Sequence, residues 1–87
     1  MTDDATPPVF TKHALERMAK RRLQGHWVEQ VVQRPSRVEP DPVDASLEHR
    51  WAPVPELDGR ILRAIVSQSQ PTRVITSHLD RKLKGTL

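Results

Sequence analysis

The sequence predicts an α+β domain in which two N-terminal helices pack on one face of a four-stranded antiparallel sheet. Two observations support this prediction: apolar residues recur at helical spacing up to about residue 34, and from residue 37 they alternate with polar residues as in strands. Each helix must lay its apolar stripe on the sheet, because neither can bury it alone. The 87 residues allow one domain, which we expect at 10–84 between a flexible leader at 1–9 and a tail at 85–87.

The two helices are predicted from a start signal and a stop signal each. Thr11 is a suitable N-cap for a first helix at 12–23, and Gly25 is expected to end it. A second helix at 26–34 ends before Pro35. The expected buried stripes are Ala14, Leu15, Met18 and Ala19 in the first helix, and Trp27, Val28, Val31 and Val32 in the second.

Four strands are predicted in the second half of the chain. A short strand at 37–39 is followed by a half-buried, alternating strand at 47–51. The run 60–67 is apolar on both faces and is expected to be central, and 73–79 is the last strand. The better hydrophobic face of the central strand should meet the helices, which leaves Arg63 on the other face. That hydrophobic face consists of Leu62, Ala64 and Val66.

The charge pattern predicts an anion-binding surface. The net charge is +3, with basic residues gathered at 11–37 and 59–87 and acidic residues at 38–58. If the fold brings the two basic flanks together, one face attracts anions. The alternative is a mixed-charge surface that keeps the protein soluble.

Several classes of function are excluded. The chain has no cysteine, which excludes disulfides, Cys-ligated zinc, iron–sulfur clusters and a thiol nucleophile. The four histidines lack metal-ligand spacing and no glycine-rich phosphate loop is present, so we expect neither a metal nor a cofactor. No apolar run approaches the roughly 20 residues that span a bilayer, and the acidic N-terminus lacks the order of a secretory signal. We therefore expect a cytoplasmic protein with no membrane partner.

The first predicted helix carries a second stripe, which is cationic and faces away from the core. An arginine fork fits phosphate oxygens and a histidine exchanges a proton near neutral pH, so this stripe suits a phosphodiester. The alternative is a water-facing helix flank. The stripe consists of His13, Arg17, Lys20 and Arg21, at i, i+4, i+7 and i+8.

Arg63 and His78 are the candidate site residues of the predicted sheet. A charge among apolar neighbours is unfavourable unless it is paired or kept for an anionic ligand. The structural alternative for Arg63 is an ion pair with Glu48 or another sheet carboxylate. His78 follows Val74 and Thr76 on one face of the last strand, and it joins Arg63 only if the strand pairs beside the central one in the right register.

Two stretches of sequence carry a resemblance to a known family. The opening stretch reads FTKHALERM followed by RRL, and the closing stretch reads GRILRAIV followed by RVIT. Together with the predicted layout, they resemble a bacterial domain family of unknown function that is similar to the BrnT and RelE/ParE toxins. The resemblance covers residues 10–82. One departure is RLQG at 22–25, where BrnT-like proteins usually place Lys-His-Gly.

The resemblance implies a small ribonuclease-toxin fold and cleavage of RNA without a metal. His13 and Arg17 match the His-x-x-x-Arg of the opening, and Arg63 matches a polar position of the central strand. With His78, these are our candidate catalytic residues. The candidate nucleic-acid-binding residues are Lys20, Arg21, Arg22, Arg73, Arg81, Lys82 and Lys84.

The leading hypothesis is therefore endonucleolytic cleavage of RNA, free or on the ribosome. A ribose 2′-hydroxyl attacks the adjacent phosphorus, His13 and His78 transfer protons, and arginines stabilise the phosphorane. The second hypothesis is a non-catalytic module that binds nucleic acid or a protein, since relatives such as ParE cleave nothing. The third is an accessory protein of mobile DNA whose basic face meets an acidic partner, such as a cognate antitoxin.

Overall fold

Two helices and five strands follow each other in the computed structural model, which describes residues 7–83. The elements are β1 (Val9–Phe10), α1 (Lys12–Arg21), α2 (Gly25–Gln33), β2 (Arg37–Pro40), β3 (Leu47–Val54), β4 (Arg60–Ser67) and β5 (Arg73–Leu79). Short 3-10 turns occupy Pro55–Leu57 and Arg81–Leu83. The strand order is β1-β5-β4-β3-β2, so β4 is central, as predicted.

The sequence predicts a four-stranded antiparallel sheet, but the structure contains a five-stranded mixed sheet. Strands β2 to β5 are antiparallel, but Val9 and Phe10 pair in parallel with Arg73 and Val74 of β5. The sequence places Val9 in the flexible leader instead, because a strand of two residues is too short to show alternation. The rest of the predicted leader and tail, at 1–6 and 84–87, lies outside the described residues.

Helix α1 begins as predicted but ends earlier. The Thr11 hydroxyl accepts a hydrogen bond from the amide of Ala14 at 3.1 Å, which confirms the N-cap. At the other end Arg22 adopts a left-handed conformation with φ 57°. The amides of Arg22 and Leu23 donate back to Ala19 and Met18 in a Schellman motif. Gly25 does not stop this helix, because it is the first residue of α2.

Both helices lie on one face of the sheet. Helix α1 packs on β5, and α2 packs on β3 and β4. The predicted face of β4 is fully buried, whereas Leu15 of α1 is 53% exposed and Ala19 is also exposed. Those two residues were expected in the core, but α1 covers only one side strand and therefore buries a narrower stripe. The buried core consists mainly of Ala14, Met18, Leu23, Trp27, Val28, Val31, Val32, Ala52, Val54, Leu62, Ala64, Val66 and Val74.

Strand β5 contains a bulge that changes which side chains share a face. Val66 pairs with Val74, but Ile65 pairs with Thr76, so Ile75 is an extra residue in β5. Val74 therefore points into the core with Val66, while Thr76 shares the opposite face with Ile65. The expectation that Val74 and Thr76 share a face with His78 is wrong for Val74.

None of the helices within residues 7–83 is long and apolar enough to cross a membrane.

Candidate functional site

The sheet face opposite the helices, which we call the open face, carries a row of four side chains. The row takes one residue from each of β2, β3, β4 and β5: Arg37 pairs with Trp51, Trp51 with Arg63, and Arg63 with His78. Directly opposed residues of antiparallel strands point to the same face. The register therefore brings Arg63 and His78 together. The last strand does pair beside the central strand in the register that the prediction for His78 requires.

Asp80 fixes this row from the end of β5. Asp80 is buried, and its Oδ2 accepts hydrogen bonds from Trp51 Nε1 at 3.0 Å and from Arg63 Nη2 at 2.7 Å. Oδ1 accepts from the amide of Lys82 at 3.1 Å. Burial would raise the pKa of Asp80, but these donors outweigh it and hold the pKa below its ordinary value. Asp80 is therefore an ionised anchor for Arg63.

Glu48 is not the partner of Arg63. It lies on the helix-facing side of β3, where it accepts from Arg50 Nε at 2.7 Å. The alternation of strand residues separates Glu48 from Trp51, which shares the open face with Arg63. The carboxylate that pairs with Arg63 comes from outside the strands.

Trp51 holds two guanidinium groups over its ring. The Arg37 guanidinium carbon lies 5.2 Å from the ring centroid, and that of Arg63 lies 5.0 Å from it. Such contacts stabilise a cation beside an aromatic face. Arg37 also forms an ion pair with Glu39.

His78 is half-buried at the edge of the row. Burial, then the positive charges of Arg63 and Arg21, lower the pKa of His78 below its ordinary value of 6.5, although the Asp80 carboxylate opposes this. The neutral form of the imidazole is favoured, and a neutral imidazole accepts a proton.

Arg21 reaches the outer edge of β5 from α1. Its Nη1 donates to the carbonyl of Ser77 at 2.6 Å and to Thr76 Oγ1 at 3.5 Å. Strand β1 pairs with β5 only as far as Val74, so this guanidinium satisfies a strand-edge carbonyl. The same guanidinium lines a groove of about 370 Å³, whose other walls are Leu23, His78, Leu79 and Arg81.

The structure does not bring His13 and Arg17 into this site. Both are exposed on α1, which packs on the opposite face of the sheet from Arg63. His13 precedes Arg21 by eight residues, or about 12 Å along the helix axis. Within residues 7–83, the side chains of His13 and Arg17 make no hydrogen bond or ion pair.

The other candidate nucleic-acid contacts are spread over the surface. Arg81 and Lys82 follow Asp80 directly and border the row. Arg73 opens β5 opposite Ser67, five residues and about 17 Å from His78. Lys20 and Arg22 are exposed at the end of α1, and Lys84 lies outside the described residues. The basic flanks at 11–37 and 59–87 do meet, through α1 and β5.

The sequence analysis did not predict the contacts that two carboxylates, those of Asp80 and Asp41, make on the open face. Asp80 is the lone acid of the basic segment 59–87, and that isolation was the available signal. Asp41 accepts from His49 Nε2 at 2.6 Å, and this bond, with the amides of Asp44 and Val43, lowers the pKa of Asp41 to about 2. The pair fixes the loop after β2 against the sheet. No group of three metal-ligating side chains occurs in the described part of the chain.

Comparison with known proteins gives one match. A family model described as "Domain of unknown function (DUF4258)" matches residues 10–77. A search of curated proteins and a search of solved structures each gave no match. The matched segment contains α1, α2, Arg63 and most of β5, but it ends one residue before His78.

Proposed function

The chain belongs to the DUF4258 family of domains, and we propose from its own geometry that the open face binds RNA and cleaves it without a metal ion. The observation that carries this proposal is the direct pairing of His78 with Arg63 among further basic side chains. The layout of two helices over antiparallel strands β2 to β5 supports the likeness to BrnT and RelE/ParE toxins. A protein with this activity would work in the cytoplasm.

The proposed reaction is an internal transfer of the phosphate. His78 takes the proton of a ribose 2′-hydroxyl, and the 2′-oxygen forms a bond to the adjacent phosphorus. The bond from phosphorus to the 5′-oxygen breaks, and that oxygen takes a proton from solvent. The products are a 2′,3′-cyclic phosphate and a 5′-hydroxyl, while arginine stabilises the charge on the phosphorane.

The surroundings of His78 suit it to the role of general base. Its lowered pKa keeps the imidazole neutral at neutral pH, so it is ready to accept a proton. Asp80 bonds to Arg63 through Nη2, which leaves other N–H donors of the same guanidinium for a ligand. His13 is given no proton-transfer role, because α1 holds it on the opposite side of the sheet.

The test is a time course of the purified full chain with a 5′-labelled RNA in EDTA. We expect His78→Gln to slow cleavage at least about 100-fold, the lower bound for loss of a general base. The matched control is His13→Gln, an exposed histidine outside the row, which should cleave at the wild-type rate. Equal rates for wild type and His78→Gln would reject the proposal, as would products without a cyclic phosphate.

The second candidate function is RNA binding without cleavage. It is favoured by the neutralisation of Arg63 by Asp80, and by the presence of a single histidine, His78, in the row of the described chain. In this case the assay gives no products, while RNA affinity falls steeply as salt rises, with a slope of about 0.7 per neutralised phosphate. An acidic protein partner of the antitoxin kind would compete for the same basic surface.

A further inference from the structure

The arginines around the sheet differ in what neutralises them. Arg37 pairs with Glu39, Arg50 with Glu48, and Arg63 with Asp80. A phosphate that approaches any of these must compete with a carboxylate for the same guanidinium. Their ion pairs therefore weaken all three as anion ligands.

Arg21 is held in place without losing its charge. Both of its hydrogen-bond acceptors, the Ser77 carbonyl and Thr76 Oγ1, are neutral. Within residues 7–83 no carboxylate lies within ion-pair distance of it. Among the described arginines without a carboxylate partner, Arg21 is also the only one whose guanidinium makes a hydrogen bond. It combines a fixed position with an uncompensated positive charge.

The groove beside Arg21 has the composition of a phosphate site. Arg21, Arg81 and His78 supply polar groups, and Leu23 and Leu79 supply apolar walls. Its volume of about 370 Å³ lies within the range of small-ligand sites. At the end of α1, the Schellman motif engages the carbonyls of Met18 and Ala19, two of the last-turn carbonyls that would otherwise repel an anion.

We propose that Arg21, rather than Arg63, is the main phosphate ligand, and that this groove takes one phosphodiester of a nucleic-acid backbone. The identity of the polymer rests on the proposed function, whereas the phosphate site rests on the groove itself. In this arrangement Asp80 makes Arg63 a structural neighbour of His78, and Arg21 makes the contact with the ligand.

The test uses a dinucleoside monophosphate with a 2′-O-methyl group, which cannot be cleaved. NMR titration of the His78 ring, with and without this probe, gives its pKa and the affinity. Bound phosphate should raise the pKa of His78 by about one unit, since an opposite charge at 4–6 Å favours imidazolium. Arg21→Gln should weaken probe binding at least about tenfold, the effect of losing one charge-assisted bond.

Arg17→Gln is the matched control, because it removes the same charge one turn earlier on the same exposed flank. It should bind the probe like wild type. Arg21→Lys retains the charge and a donor for Ser77 but not the planar fork, and should bind more weakly than wild type. If Arg21→Gln fails to fold, probe binding by Arg21→Lys tests the phosphate site instead.

Three results would overturn the phosphate site: equal losses in Arg17→Gln and Arg21→Gln, wild-type binding in Arg21→Lys, or a loss confined to Arg63→Gln. Cleavage of RNA that does not depend on Arg21 would overturn this inference and leave the proposed function standing. A pKa shift that depends on Arg21, in a protein that cleaves no RNA, would support the site and reject the nuclease.

Discussion

The two faces of the sheet each carry an arginine–carboxylate pair at 2.7 Å, but the pairs differ in which partner is accessible. Between α2 and β3, the side chains of Arg50 and Glu48 are 20% and 19% exposed, and Arg50 also donates to the carbonyl of Val32. On the open face, the side chain of Asp80 is 5% exposed and that of Arg63 is 27% exposed. The first pair lies within β3 and reaches α2 only through the separate bond of Arg50, whereas the second buries the anion and leaves the cation partly exposed. The same chemical contact is therefore shared between both partners on the covered face, whereas on the open face it leaves Arg63 partly exposed beside His78.

Of the substitutions that test this difference between the faces, Asp80→Ala should have the largest effect on stability. It leaves Arg63 without its carboxylate and Trp51 Nε1 without its acceptor. We expect the free energy of unfolding to fall by about 3 kcal/mol, because removal of one partner leaves a largely buried charge uncompensated. Urea denaturation measures the loss. Asp80→Asn retains an acceptor and should lose less; equal stability of Asp80→Ala and wild type would mean that the network contributes nothing.

Glu48→Gln tests the pair on the covered face. Glutamine retains an acceptor for Arg50, and Arg50 keeps its bond to Val32, so we expect a loss of only about 1 kcal/mol. If the open face binds RNA as proposed, the affinity for RNA should not change in Glu48→Gln, because this pair faces the helices. A loss as large as that in Asp80→Ala, or a change in RNA affinity, would contradict the contrast between the faces.

The smallest expected effect is a pH dependence of stability that comes from His78. Its folded pKa is lower than the unfolded value of 6.5, so the unfolded chain binds the proton more readily. Stability relative to His78→Gln should therefore fall as pH drops below 6.5 towards the folded pKa, and stay constant above this window. Denaturation at several pH values checks this. A profile unchanged in His78→Gln would contradict the assignment.

The sequence predicts best those parts of the fold in which the pattern of apolar residues extends over many positions. Strands β4 and β5 have the predicted bounds because their apolar runs are long and are bounded by turn residues such as Gly59 and Pro71. The outward position of Arg63 follows from alternation alone. Strand β1 was missed because two residues show no period.

The site was harder to predict because its partners meet through tertiary structure. Asp80 lies beyond the strand pattern, and its contacts with Trp51 and Arg63 depend on how the chain turns after β5. The exposure of His13 follows from helix periodicity, and its separation from Arg63 follows from the prediction that the helices cover the other face of the sheet. Arg21 shares that stripe, and only the position of α1 beside β5 separates its role from that of Arg17.

The bulge at Ile75 has a consequence for every residue that follows it in β5. Counted in strict alternation from the buried Val74, His78 would lie under the helices, and Ser77 would stand beside Arg63. One inserted residue reverses this parity. Deletion of Ile75 would remove the bulge and leave His78 beside Arg63, whereas regular pairing with Ile75 retained would place the Ser77 hydroxyl there.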